Sequence, residues 1–229
     1  MSATSRTGAP AIDVERRLGA LVAERPARAR VLERAGLDYC CHGHRRLVDA
    51  ATDAGVDLDE VAAALAAVTD TTGAEVDELD PVALADHIVA THHAYLHEEL
   101  PLLDALATKV RDVHGGRHAE LAEVARLVDE IRVDLQPHLA EEETVVFPAI
   151  RDGSTCAIAH PVRVLMAEHD RAGELLVELR AAAQDYVVPD DGCASYRSLY
   201  ERLALLEADT HRHIHLENNV LFPAVVGGG

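Results

Sequence analysis

Two stretches decide the fold: HLAEEETVVFP at residues 138–148 and HIHLENNVLFP at residues 213–223. In each, a histidine is followed by a glutamate four residues later and by a Phe-Pro pair whose proline lies ten residues after the histidine. The pairs are His138 with Glu142, before Phe147-Pro148, and His213 with Glu217, before Phe222-Pro223. Each block also has a histidine upstream at nearly the same interval. His93 precedes His138 by 45 residues, and His169 precedes His213 by 44. A unit of two helices has therefore been duplicated.

Outward from these blocks, apolar residues recur at three- and four-residue spacing, and no alternating β-branched run appears. The pattern predicts four long helices over residues 81–113, 117–150, 157–187 and 194–225. HGG at 114–116, RDGS at 151–154 and PDDG at 189–192 break them. Short connections between long helices predict an all-α fold, an antiparallel four-helix bundle. Pro101 and Pro137 fall inside predicted helices and are expected to kink them or trim their ends.

Residues four apart share one helix face, about 5–6 Å from each other. Each H-x-x-x-E therefore points an imidazole and a carboxylate the same way. Antiparallel neighbours can bring His93 and His169 to the same level of the core. The result is a set of four histidines and two carboxylates, His93, His138, Glu142, His169, His213 and Glu217, related by a pseudo-twofold. Imidazole with carboxylate suits iron or manganese, and two irons can share glutamates as bridges. Six ionisable groups on core positions are costly unless paired or metallated.

The neighbours separate less cleanly. His92 and His93 are adjacent, so only one can point inward at a given level. His97 lies one turn beyond His93 on the same face, as a further ligand or gate. His211 and His215 fall off the face of His213 and are expected to be solvent-exposed or to stand behind the ligands. Glu141 and Glu143 are expected to point outward. His87 and His160 have no assigned role.

Residues 1–73 have a different balance, with 9 Arg against 11 acids; the remaining residues have 12 bases against 29 acids. Short helices are expected over residues 13–24, 26–36 and 58–68, with LDYCCHGH at 37–44 as a loop or helix entry. Residues 69–80 are polar and lack apolar periodicity, as a linker would. The expected division is a small helical Cys-Cys domain at 1–73, a linker at 74–80 and the bundle at 81–229.

The whole chain has 229 residues and a formal net charge of -19. Such an acidic surface repels phosphate backbones, which argues against nucleic acid as a partner. The hydrophobic fraction of 48% is ample for a core, and with 3% aromatic residues and no Trp that core must be aliphatic. No apolar run approaches the ~18 residues of a membrane span. Residues 1–18 carry no apolar signal-like run and are expected to be a disordered lead-in, with the cytoplasm as the compartment. No G-x-G-x-x-G loop for a nucleotide cofactor appears. Cys40 and Cys41 are neighbours, too cramped for an ordinary disulfide, and could offer soft thiolates to iron or a nitrosyl group. Cys156 and Cys193 stand alone at predicted helix starts and are expected to be structural.

The combination of a Cys-Cys module with a duplicated H-x-x-x-E bundle resembles the RIC family, the "repair of iron centres" hemerythrin-like di-iron proteins, over almost the whole chain. GLDYCCHGHRRLVDAA at 36–51 is similar to that family's small Cys-Cys domain. THHAYLHEELP at 91–101, HLAEEETVVFP, AEHDRAGELL at 167–176 and HIHLENNVLFP are similar to its four metal-bearing helices, in order. The resemblance implies a hemerythrin-like bundle preceded by a small helical domain. It places the ligands at His93, His138, Glu142, His169, His213 and Glu217, with Glu142 and Glu217 bridging two oxo-bridged, non-haem irons. It implies a cytoplasmic stress-response protein that repairs iron–sulfur clusters damaged by nitric oxide or peroxide, with iron–sulfur proteins as clients. Iron donation and nitric oxide reduction both stay open as the chemistry, and with them an enzyme activity of the nitric oxide reductase kind. Cys40 and Cys41 would take part in iron or nitric oxide transfer. Oxygen-carrying hemerythrins are similar too, so a carrier or sensor of oxygen or nitric oxide is the second reading. Those proteins carry a further histidine four residues after the third-helix ligand, where this chain has Gly173. That absence implies at least one open or labile coordination position.

Overall fold

The computed structural model describes residues 12–154 and 158–226. Cys156 and the beginning of the expected third helix at residue 157 lie outside the described residues, as do residues 1–11 of the expected lead-in. The chain divides into two compact units, residues 1–79 and residues 80–229. Among the described residues every regular element is helical, apart from one isolated antiparallel bridge between Arg17 and Arg46.

In the first unit, α1 (Leu18–Glu24) is followed by a 3-10 turn (Pro26–Arg28), α2 (Ala29–Arg34), α3 (Leu47–Ala54), α4 (Leu58–Ala67) and α5 (Ala74–Asp77). The expected helix over residues 13–24 starts only at Leu18. The stretch before it pairs instead with the entry to α3, Leu47 N–H donating to Arg16 O and Leu18 N–H to Arg45 O, both at 2.9 Å. Sequence periodicity missed α3, a two-turn helix that Gly55 ends in the left-handed conformation (φ 68°). Leu18, Leu21, Leu32, Leu47 and Leu65 are fully buried between these helices. Arg28 is buried among them and donates to the carbonyls of Leu21 (3.2 Å) and Leu65 (3.4 Å), which satisfies its guanidinium. The polar segment expected to be a linker contains α5, which packs against α1.

The second unit starts at Asp80, whose side chain caps α6 (Pro81–Ile88) by accepting from the N–H groups of Val82 and Ala83. A π-helical turn, π1 (Val89–His93), joins α6 to α7 (Ala94–His114). Next come α8 (Glu120–Glu141), π2 (Glu142–Val146) and α9 (Phe147–Arg151), then α10 (Ala159–Ala182), and last α11 (Ala194–Leu216), π3 (Glu217–Leu221) and α12 (Phe222–Val226). These make four long rods, with α7 packed on α8 and α11, and α8 on α10. Leu100, Leu103, Leu127, Ile131, Leu175 and Leu203 are among the buried aliphatic residues between them. Helices α7 and α8 continue through Pro101 and Pro137, so neither proline trims a helix end.

The third rod ends at Ala182, short of the expected residue 187. Gln184, Asp185 and Tyr186 all adopt left-handed conformations, with φ of 50°, 54° and 61°, which L-residues visit only at a cost. Tertiary contacts hold them there. Tyr186 donates to the buried Glu207 (2.6 Å), which also accepts from Arg180 (2.9 Å), and the Arg180 guanidinium lies 5.1 Å from the Tyr186 ring centre.

Candidate metal centre

The duplicated blocks end in matching local structures. Phe147 N–H bonds the carbonyl of Glu142, and Phe222 N–H that of Glu217, five residues back rather than four. Each π turn thus begins at the block's glutamate and runs up to its Phe-Pro. Proline lacks the N–H that an α-helix would use and crowds the carbonyl four residues back; the wider π turn absorbs both faults, and such turns concentrate at functional sites. His93 closes the third π turn.

The six residues marked by the repeat converge at one level of the bundle, all buried. His93, His213, Glu142 and Glu217 form one group, and His138, His169, Glu142 and Glu217 another; within each, the ligand atoms lie within 4.8 Å of one another. The Nε2 atoms of His93 and His213 are 3.2 Å apart, and those of His138 and His169 are 3.0 Å apart. Two ligands at right angles around a metal with ~2.1 Å bonds would be ~3.0 Å apart. Glu142 Oε2 lies 3.4 Å from both His93 and His138. Glu217 reaches His213 at 2.9 Å through Oε1 and His169 at 3.1 Å through Oε2. Both carboxylates thus belong to both groups.

Neither oxygen of Glu142 has a hydrogen-bond partner, although both are buried. Burial, with Glu217 beside it, pushes the Glu142 carboxyl well above the usual range. Burial acts upward on Glu217 too, but His213 and His169 outweigh it and hold that carboxyl well down. Burial, reinforced by His169, lowers His138 to about 3, and burial also lowers His213. At His93 burial is outweighed by Glu142 and Glu217, and its pKa is raised. Neutral imidazoles beside carboxylates that resist joint ionisation suit a cation, which would let both carboxylates ionise. The donor set therefore fits a pair of metal ions.

The surrounding side chains repeat the duplication and also break it. His93 Nδ1 contacts Glu143 (2.9 Å), the residue after the first glutamate, and His169 Nδ1 contacts Asn218 (2.9 Å), the residue after the second. Phe147 stacks on His93 and Phe222 on His169. Glu168, just before His169, contacts His138 Nδ1 at 2.9 Å. The matching position before His93 is His92, which instead lies parallel to the His213 ring (centres 5.6 Å apart) and contacts Asp209 through Nδ1 (2.8 Å). Of the adjacent histidines, His93 is thus the one inside the cluster. Such partners fix ring orientation and tautomer.

One expectation needs correction, and two open alternatives narrow. Glu143 does not simply point outward, because it accepts from both His93 and His97. His97 is half-exposed and held by Glu143 (3.0 Å), so it is not part of the cluster. His215 is fully buried, which excludes the solvent-exposed reading and leaves the one in which it stands behind the ligands. Glu168 and Asn218 were missed altogether. Their only sequence signal is position, immediately before an upstream histidine and immediately after a block glutamate.

In the first unit, Cys40 and Cys41 have sulfurs 3.8 Å apart, and Asp38 Oδ1 accepts from both backbone N–H groups (3.0 and 2.9 Å) and from the Cys40 thiol (3.2 Å). Contact with Cys41 and burial push the Cys40 thiol well up. Asp38, Cys40 and Cys41 bring their donor atoms close enough to share an ion. Asp38 had not been singled out from the sequence.

Residues 84–225 match the Hemerythrin HHE cation binding domain. The chain belongs to the hemerythrin HHE family. As a member, its bundle is a cation-binding domain. Residues 14–69 match a second family, described as a Domain of Unknown function (DUF542). Over 212 residues the chain is 35% identical to the iron–sulfur cluster repair protein YtfE of Cronobacter sakazakii, covering 92% of this chain and 96% of that one. The YtfE proteins of Salmonella choleraesuis and Escherichia coli O1:K1 are 32% identical with the same coverage. The HHE match spans all six clustered residues, and the DUF542 match contains Asp38, Cys40 and Cys41. Among the described residues no helix is long and apolar enough to cross a membrane.

Proposed function

We propose that this protein repairs iron–sulfur clusters damaged by nitrosative or oxidative stress, using a non-haem di-iron centre in the bundle. The observation that carries this is the pair of buried ligand groups sharing Glu142 and Glu217, in a chain similar along nearly its whole length to proteins named for that repair. His93 and His213 would hold one iron and His138 and His169 the other, with both glutamates as bridges. Such a centre supplies releasable iron and redox chemistry toward small diatomic molecules, nitric oxide among them.

The chain's own residues prepare the site. Glu143, Glu168 and Asn218 orient three of the four imidazoles so that Nε2 faces inward. Phe147 and Phe222 keep water from the histidines they cover. Each imidazole must be neutral to ligate, and burial already keeps His138 and His213 so. Glu142 must lose its proton when a cation enters, so loading releases protons and weakens in acid. Cys40 and Cys41, with Asp38, are a site for transient transfer of iron or a nitrosyl group.

Metal content and visible absorption of protein purified in air test the centre; two irons per chain with near-ultraviolet oxo-bridge bands are expected. Adding the loaded protein to a nitric-oxide-damaged iron–sulfur protein then tests repair, with recovery of cluster absorption as the readout. A di-iron protein that restores no cluster but binds oxygen or nitric oxide reversibly would instead be a carrier or sensor.

A further inference from the structure

At the α7–α8 end of the bundle, about 30 Å along the helix from His93, Cys193 stands apart from the metal-binding cluster. It is exposed and occupies the N-cap of the 23-residue helix α11. Its sulfur lies 3.1 Å from Nε2 of His114, the last residue of α7. His114 is only 6% exposed, and its other ring nitrogen has no hydrogen-bond partner. The Tyr196 ring, edge-on at 5.6 Å, packs against the imidazole. A buried imidazole is thus aimed at an accessible thiol. The charged groups nearby are otherwise engaged. Asp191 pairs with Arg117 (3.4 Å) and His118 (2.9 Å), and Glu120 with His118 (3.2 Å). The backbone N–H groups of Tyr196 and Ser195 at the start of α11 lower the Cys193 pKa, whereas Cys40 is buried and raised.

We propose that Cys193 is a reactive thiol, activated by His114 and by the amino end of α11, and that hydrogen peroxide oxidises it to a sulfenic acid. The thiolate sulfur attacks one peroxide oxygen; the S–O bond forms as the O–O bond breaks. Sulfur gives up two electrons, and the departing hydroxide takes a proton from solvent to become water. For each unit by which a thiol pKa falls toward ambient pH, thiolate rises up to tenfold and nucleophilicity drops about threefold, so the net gain is about threefold.

The test is site-resolved alkylation of the full-length protein by iodoacetamide across pH, with peptide mass spectrometry, then hydrogen peroxide with dimedone as the sulfenic acid trap. Cys193 is expected to alkylate with a midpoint below the ~8.5 of a free thiol, and faster at pH 7 than glutathione by about threefold for each unit that its midpoint falls. It is also expected to carry the dimedone adduct. His114→Gln should raise the midpoint and remove that gain. A wild-type midpoint at or above the free-thiol value overturns the proposal, even if the variant fails to fold. So does a folded His114→Gln chain with an unchanged profile, or the absence of a Cys193 dimedone adduct.

Discussion

Replacing Glu142 by leucine should stabilise the metal-free bundle and destroy its capacity for metal, a pairing of opposite effects that a merely structural glutamate would not give. Both Glu142 oxygens are buried and without a hydrogen-bond partner, a situation that costs about 1–3 kcal/mol. Leucine fills a similar volume, so little cavity cost offsets the gain. At about 2–4 °C per kcal/mol for a domain of this size, the metal-free melting temperature should rise by roughly 2–12 °C. In the wild type, metal at a hundred times its dissociation constant should add about 2.7 kcal/mol per site, and the variant should lose that increment. Thermal unfolding followed by far-ultraviolet circular dichroism, on chelated and metal-loaded samples, measures both. A metal-free Glu142→Leu protein that melts below the metal-free wild type would refute the reasoning, as would one that still binds two metals.

Glu217→Leu should behave differently, because Glu217 accepts from His213 at 2.9 Å; metal is lost and the metal-free protein also loses about 1–3 kcal/mol by the same melts. His92→Ala should leave two metals per chain and His93→Ala should lose at least one, measured by metal analysis, since His92 contacts Asp209 and His93 the cluster. The Glu142 carboxyl is raised in the folded state, so its cost to the metal-free wild type is smallest below the unfolded value of about 4.3 and grows as pH rises toward the folded one, because the unfolded chain ionises first. The melting advantage of metal-free Glu142→Leu over wild type should therefore grow as pH increases from about 4.3, and a constant difference would sink this. Tyr186→Phe removes a donor to buried Glu207 and should lower the denaturant midpoint by about 1–3 kcal/mol equivalent with unchanged slope.

The four long helices and the six converging residues were legible because helical periodicity and i,i+4 geometry are local. An interval repeated within one residue puts equivalent side chains at equivalent heights on neighbouring rods, whatever lies between. The α3 helix was not legible, since its two turns are too short for periodicity to stand out and its N-terminus is set by pairing with residues 14–18. The end of α10 was not legible either. Nothing near residues 184–186 calls for three left-handed residues; Glu207, far along the chain, holds Tyr186 in place.

The repeat alone carried the outline of the cation site: which histidines and glutamates recur, on which helices, facing one another. Packing in three dimensions puts His93 in the cluster and His92 over His213, with a π turn setting the rotation of that stretch. It alone revealed Glu143, Glu168 and Asn218 behind the imidazoles, and His114 behind Cys193, 79 residues away in sequence. One cause underlies every case. Periodicity tells which face of a helix a residue occupies, but a hydrogen bond is fixed by the last ångström between two helices, and that distance is set by how the whole bundle packs.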